Sequence, residues 1–122
     1  MAAKKLLIVD DEPGFTQVIA DYFKSFGYDT SVAHNLEDAV ILFKKNRPKV
    51  VLLDFSMPII TGEKFLPILQ NVDPLVKAIV VTGCITEEVE ERFKGLGYYA
   101  FFEKGGLSLE KVRKKVEEAL TH

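Results

Sequence analysis

Five polar side chains with the chemistry of metal binding or group transfer come at or just after short apolar runs. Asp10 and Asp11 directly follow LLIV, and Asp54 directly follows VVLL. Thr82 follows AIVV, and Lys104 lies two residues beyond YYAFF. A buried carboxylate without a partner is costly. The aspartates must therefore be paired, protonated, bound to a cation, or placed where the chain reaches the surface.

The apolar runs alternate with segments in which apolar residues recur every three or four positions, the spacing of one helix face. We predict strands at 6–9, 28–33, 50–53, 78–81 and 98–102, and apolar helix faces within 15–26, 36–43, 65–72, 85–93 and 109–120. The first face includes Val18 and Phe26 and stops at Gly27. Asn35 with Asp38 predicts the start of the second helix.

Strands that alternate with helices indicate right-handed crossovers and a parallel sheet covered on both faces. The first, third and fourth strands are unbroken apolar runs, as central parallel strands are, whereas the second is polar enough for an edge. We predict an α/β, flavodoxin-like fold: a doubly wound five-stranded parallel sheet of order 2-1-3-4-5 with five flanking helices. Such sheets bind ligands beyond the carboxyl ends of their strands, here between strands one and three.

The composition is typical of a soluble globular domain. The chain is 48% hydrophobic and 28% charged, and 18 acidic against 16 basic residues leave a net charge of −2. This balance argues against a nucleic-acid or anionic-lipid surface, and no apolar run suits a secretory signal or a membrane span. Cys84 is the single cysteine, so a reducing cytoplasm is the default location. We expect residues 1–122 to form one domain without an output domain.

The predicted topology brings Asp10, Asp11 and Asp54 to one point. Each aspartate alone reads most simply as a helix cap or a loop residue, but caps do not require three carboxylates aimed together. Two carboxylates ~5 Å apart repel by roughly 3 kcal/mol at an effective dielectric of ~20. Lys104 would offset one charge and a divalent cation two. Oxygen ligands without a nearby His or Cys favour Mg²⁺ that keeps several of its waters.

Such a site would be equipped for phosphoryl transfer. The Asp54 carboxylate would attack phosphorus and carry a covalent acyl phosphate. The Thr82 hydroxyl and the Lys104 ammonium would contact the phosphoryl oxygens. Catalysis would then rest mainly on positioning and electrostatics.

Four segments, in order, resemble the receiver domain of two-component response regulators, including its stand-alone chemotaxis and sporulation types. They are LIVDDEP, LLDFSMPIITG with Met57-Pro58 and Gly62 at the family's spacings, VVTG, and YYAFFEKG. Each segment is weak alone, but all four on the expected elements are highly specific. The resemblance covers nearly the whole chain.

The resemblance implies a role for each site residue. Asp54 would accept a phosphoryl group from a sensor histidine kinase or a histidine phosphotransfer protein, and Thr82 and Lys104 would assist as catalytic groups. The implied ligands of Mg²⁺ are Asp10, Asp11, Asp54 and the backbone carbonyl of Ser56. The chain would assist its own phosphorylation and dephosphorylation without being a conventional turnover enzyme.

The resemblance also implies a switch formed by Thr82 and Phe101. After phosphorylation the Thr82 hydroxyl would move inward and Phe101 would rotate into the space, remodelling the face made by helix four, strand five and helix five. About a few kcal/mol between two states would suffice. The downstream protein target is unknown. The rings of YYAFF leave two interpretations open: packing beneath the last helices, or an apolar surface for a partner, including a second copy in a homodimer.

Two glycines depart from the family's pattern near the site. Gly105 stands where the family usually has a proline in a cis peptide bond, and Gly83 stands where a residue such as alanine is typical. The main alternative is therefore a degenerate receiver that acts as a phosphorylation-independent scaffold. An aspartate-nucleophile phosphohydrolase would need a second aspartate where Ser56 stands. A flavodoxin-like cofactor site would need a loop rich in Ser, Thr and Gly instead of DDEPGF.

Overall fold

The alternating pattern of the sequence becomes ten elements in the computed structural model, which describes residues 4–54, 62–83 and 87–121, apart from the side chains of 62–64, 89, 92 and 93. In chain order they are β1 Lys5–Val9, α1 Pro13–Lys24, β2 Asp29–Ala33, α2 Leu36–Asn46, β3 Val50–Leu53, α3 Gly62–Val72, β4 Lys77–Thr82, α4 Glu87–Gly95, β5 Ala100–Glu103 and α5 Leu109–Thr121. The strands form one parallel sheet of order β2-β1-β3-β4-β5. The predicted doubly wound α/β fold is confirmed.

The register of the sheet sets the positions of the residues that follow its strands. Val9 pairs with Leu53 across β1 and β3, so Asp10 and Asp54 leave the sheet side by side. Thr82 lies two residues beyond the β4 partner of Leu53 and is the last residue of its strand. The pairing of the strands therefore brings these three polar side chains to one edge.

The two faces of the sheet carry separate apolar cores, which explains the unbroken apolar runs of the central strands. One core joins alternate residues of β1 and β3 to Phe43 of α2 and Phe65 of α3. The other joins the other apolar residues of those strands to Phe23 of α1 and Val116 of α5.

Within the described ranges, no helix combines the length and hydrophobicity needed to cross a bilayer.

The first helix buries only part of the predicted apolar face, including Ile19 and Phe23. Val18 and Phe26 are 59% and 45% exposed, so their assignment to the apolar face was wrong. The buried residues of the helix are Thr16, Ile19, Ala20 and Phe23. With about 100° of rotation per residue, Val18 lies roughly 200° from Thr16. Phe26 lies beyond Lys24, where α1 ends.

The aromatic residues of YYAFF lie in the edge strand β5 and directly before it, and they pack on both cores. Tyr98 and Phe101 pack on the core of α2 and α3, whereas Tyr99 and Phe102 pack on the core of α1 and α5. Tyr98 is buried and the other three rings are half-buried. These contacts favour packing as the main role of the four rings.

Candidate functional site

Asp10 and Asp54 follow the two central strands, and backbone hydrogen bonds fix where they emerge. The N–H of Asp54 donates to the carbonyl oxygen of Val9 at 2.9 Å, and the N–H of Asp10 donates to that of Ala33 at 3.1 Å. Asp54 is 3% exposed and Asp10 is 2% exposed. Both carboxylates therefore lie at the switch point of the sheet, where doubly wound folds bind their ligands.

Thr82 orients the Asp54 carboxylate. Its hydroxyl Oγ1 donates to Oδ1 of Asp54 at 2.9 Å, and both side chains are buried. The bond fixes the rotation of the carboxylate, whose other oxygen faces Lys104.

Lys104 is the ammonium group at the centre of the site. Its Nζ lies 2.8 Å from Oδ2 of Asp10, 2.7 Å from Oε1 of Glu12 and 3.3 Å from Oδ2 of Asp54. Its backbone N–H donates to the carbonyl oxygen of Thr82 at 2.8 Å, which ties the loop after β5 to the end of β4. Burial by itself would lower the pKa of Lys104, but its bonds to Asp10 and Glu12 outweigh burial, and the pKa is raised.

Asp10 ionises less readily than an ordinary aspartate. Burial raises the pKa of its carboxyl group above 3.8, and the charge of Asp54 acts in the same direction. The ion pair with the Lys104 ammonium and a hydrogen bond from the backbone N–H of Glu12, which donates to Oδ1 of Asp10 at 2.9 Å, act in the opposite direction. Because the net shift is upward, burial outweighs these contacts in setting the pKa of Asp10.

The donor set fits a hard divalent cation. One carboxylate oxygen from each of Asp10, Asp11, Glu12 and Asp54 lies within 4.8 Å of the others. Asp11 and Glu12 are exposed, so the cluster is open to solvent and to an entering ion. Carboxylate oxygens with room for waters are what Mg²⁺ prefers in proteins.

Phe101 and the loop after Lys104 lie within the described residues, whereas some other predicted residues do not. Phe101 lies on β5 in register with Val80 and is half-buried against the core of α2 and α3. The described residues contain no cis peptide bond, so the bond after Lys104 is trans, and Gly106 has a φ of 72°. Ser56 lies outside the described residues, as do Met57-Pro58 and Cys84.

Two residues that contact Lys104 are not among the site residues predicted from the sequence. Glu12 pairs with its ammonium, and the ring centroid of Phe15 lies 4.6 Å from the same Nζ. Glu12 is the third acidic residue of DDE, so counting every carboxylate in that loop would have included it. Phe15 belongs to the predicted apolar helix face and does pack against the core of α1 and α5, and nothing in its spacing indicates the additional contact with an ammonium.

The chain is similar to known proteins over nearly its whole length. Residues 6–117 match the model of a family described as response regulator receiver domain. The chain is 30% identical over 120 residues to sporulation initiation phosphotransferase F of Bacillus subtilis (strain 168), a match that covers 98% of this chain and 96% of that protein.

Two further similarities extend the comparison. A response regulator receiver protein of Anaeromyxobacter sp. (strain Fw109-5) is 29% identical over 101 residues, which cover 83% of this chain but 42% of that protein. The chain therefore spans less than half of that relative. The solution structure of a beryllofluoride-activated NtrC4 receiver domain dimer superposes with a TM-score of 0.87 at 28% identity, covering 95% of each chain.

The raised pKa of Asp10 predicts a pH-dependent effect of Asp10→Asn. A carboxyl group whose pKa is higher in the folded than in the unfolded state makes stability fall as the pH rises through that interval. Asp10→Asn removes this loss. Without divalent ions, we expect the free energy of unfolding of the variant, minus that of the natural chain, to increase from about pH 3 to about pH 7.

Urea unfolding at constant ionic strength measures this difference. Asp29→Asn, at an exposed carboxyl at the start of β2, is the control and should show no such increase. A difference for Asp10→Asn that stays constant or shrinks as the pH rises would show that burial does not dominate the titration of Asp10.

Proposed function

We propose that this chain, which belongs to the response regulator receiver family, is a signalling switch that accepts a phosphoryl group on Asp54. The contacts of the Asp54 carboxylate are the main support for this proposal. A hydroxyl contacts one of its oxygens at 2.9 Å and an ammonium contacts the other at 3.3 Å, next to further carboxylates suited to a divalent cation. The phosphoryl donor would be the phosphohistidine of a sensor kinase or of a phosphotransfer protein in the cytoplasm.

Mg²⁺ is the proposed cofactor, held by Asp10, Asp11 and Asp54, with the backbone carbonyl of Ser56 as the ligand that the family resemblance adds. When bound, the ion supplies positive charge against the phosphoryl oxygens. Asp10 is the most buried of the three aspartates and is held by backbone bonds, so it offers a fixed ligand. Asp11 is exposed and would act at the entrance.

Three side chains of this chain would act in the transfer step, together with the bound Mg²⁺. A carboxylate oxygen of Asp54 attacks phosphorus, the bond from phosphorus to the donor's imidazole nitrogen breaks, and that nitrogen keeps the electron pair and takes a proton from solvent. The Thr82 hydroxyl and the Lys104 ammonium donate to oxygens of the transferring group. Water later attacks the same phosphorus, the bond from phosphorus to the Asp54 oxygen breaks, and inorganic phosphate leaves as the carboxylate is restored. The chain is thus a phosphoacceptor that assists its own reactions and not a conventional turnover enzyme.

The proposed output is a population shift on the face of α4, β5 and α5. Thr82 would leave Asp54 to bond the phosphoryl group, and Phe101 would rotate towards the space left behind. Phe101 is half-buried against the core of α2 and α3, so its ring lies at the boundary between the core and solvent. A protein target, or a second copy of the chain, would read the changed face. The dimer described for the NtrC4 receiver domain supports self-association as one form of output.

Incubation with Mg²⁺ and acetyl phosphate, followed by intact-mass measurement, tests the acceptor. We expect an adduct of one phosphoryl group on the natural chain and none on Asp54→Asn, because an amide oxygen does not form the acyl phosphate. Asp29→Asn removes an exposed carboxylate elsewhere and should keep the adduct. A folded natural chain that gains no adduct would instead favour the phosphorylation-independent scaffold.

Beryllofluoride, a mimic of the phosphoryl group, tests the switch. We expect the Phe101 side chain to change its rotamer on addition of Mg²⁺ and beryllofluoride, observed by nuclear Overhauser effects to its ring in NMR spectra. Phe102 faces the opposite core and is the internal control, so its contacts should persist. A Phe101 ring with unchanged contacts would identify it as an ordinary packing residue.

A further inference from the structure

Glu12 does not cap the helix that it precedes. It occupies the N-cap position of α1, where a polar side chain usually accepts a hydrogen bond from the first turn. Its side chain makes no such bond. Its Oε1 instead lies 2.7 Å from Nζ of Lys104, which is 92 residues further along the chain. The side chain of Glu12 therefore pairs with Lys104 instead of capping its own helix.

Phe15 contacts the same ammonium from the first turn of α1. The distance of 4.6 Å from Nζ of Lys104 to the ring centroid is within the range of cation–π attraction. The two residues directly after Lys104 do not enclose it, because a Cβ added at Gly105 or Gly106 would meet no atom within 4 Å. The position of the ammonium thus depends on the carboxylates and on the start of α1.

We propose that Glu12 is a positioning residue that draws the Lys104 ammonium off the Asp10 oxygen when a divalent cation enters. The inference rests on the proposed function. The ammonium contacts Oδ2 of both Asp10 and Asp54, two of the residues that would hold the cation. Like charges repel, so cation and ammonium compete for them. Glu12 gives the ammonium another acceptor within reach, still beside Asp54.

A different role for Glu12 is that of a further metal ligand, since its carboxylate belongs to the same cluster. The two roles differ in their dependence on Lys104. A ligand contributes to metal affinity whether or not the ammonium is present. A positioning residue contributes only while there is an ammonium to draw away. The contact of 2.7 Å with Nζ and the lost helix cap favour positioning.

A double-mutant cycle on Mg²⁺ affinity separates these roles. Calorimetric titration with Mg²⁺ alone would compare the natural chain, Glu12→Ala, Lys104→Ala and the double variant. We expect Glu12→Ala to weaken Mg²⁺ binding by about three- to tenfold in the natural background, at or below the lower end for residues that orient metal ligands. In the Lys104→Ala background, the same change should cost less than about twofold.

The outcomes decide the proposal without any phosphorylation assay. An equal loss in both backgrounds would make Glu12 a metal ligand, and no loss in the natural background would leave it without a role; either result overturns the proposal. Glu37→Ala, at an exposed first-turn carboxylate of α2, is the control and should leave the affinity unchanged. Because the probe is Mg²⁺, a failed acetyl phosphate reaction would refute the proposed function and leave this result standing.

Discussion

The Lys104 ammonium stabilises carboxylates that would otherwise repel one another. Asp10 and Asp54 are fixed by the pairing of β1 with β3 and have almost no solvent around them, so neither can move away from the other. One ammonium among four carboxylates balances only part of their charge. The remaining negative charge repels anions and attracts divalent cations. Under the proposed function, this charge balance is the reason why phosphoryl transfer would need a divalent cation.

The doubly wound sheet can hold this cluster of charged groups without disturbing its apolar cores. Its two apolar cores lie on the faces of the sheet, whereas the charged groups lie at one end of the strands. Loops from β1, β3 and β5 can therefore bring side chains from distant parts of the sequence together without interrupting either core. The buried carboxyl of Asp10, with its raised pKa, is a local cost within a fold whose stability comes from elsewhere.

The fold and most of the site were predictable because both depend on strands. Apolar runs without polar interruption identified the central strands, and in a parallel sheet their carboxyl ends must coincide, which located Asp10, Asp54 and Thr82. Contacts that depend on side-chain direction were not predictable. The bond from Lys104 to Glu12 spans 92 residues, and no local pattern encodes it. The exposure of Val18 was missed because hydrophobicity alone does not say which of two neighbouring stripes faces the sheet.

Titration with Mn²⁺, an oxygen-binding paramagnetic ion that can replace Mg²⁺, tests the central claim most directly. Backbone amide NMR signals broaden far more strongly the closer they lie to the paramagnetic ion. The account predicts selective broadening at residues 10–12, 54, 82–83 and 104, sharp signals at the start of β2 and the end of α5, and reversal by excess Mg²⁺. Broadening centred elsewhere, or spread evenly and insensitive to Mg²⁺, would contradict the claim that these carboxylates form one divalent-cation site.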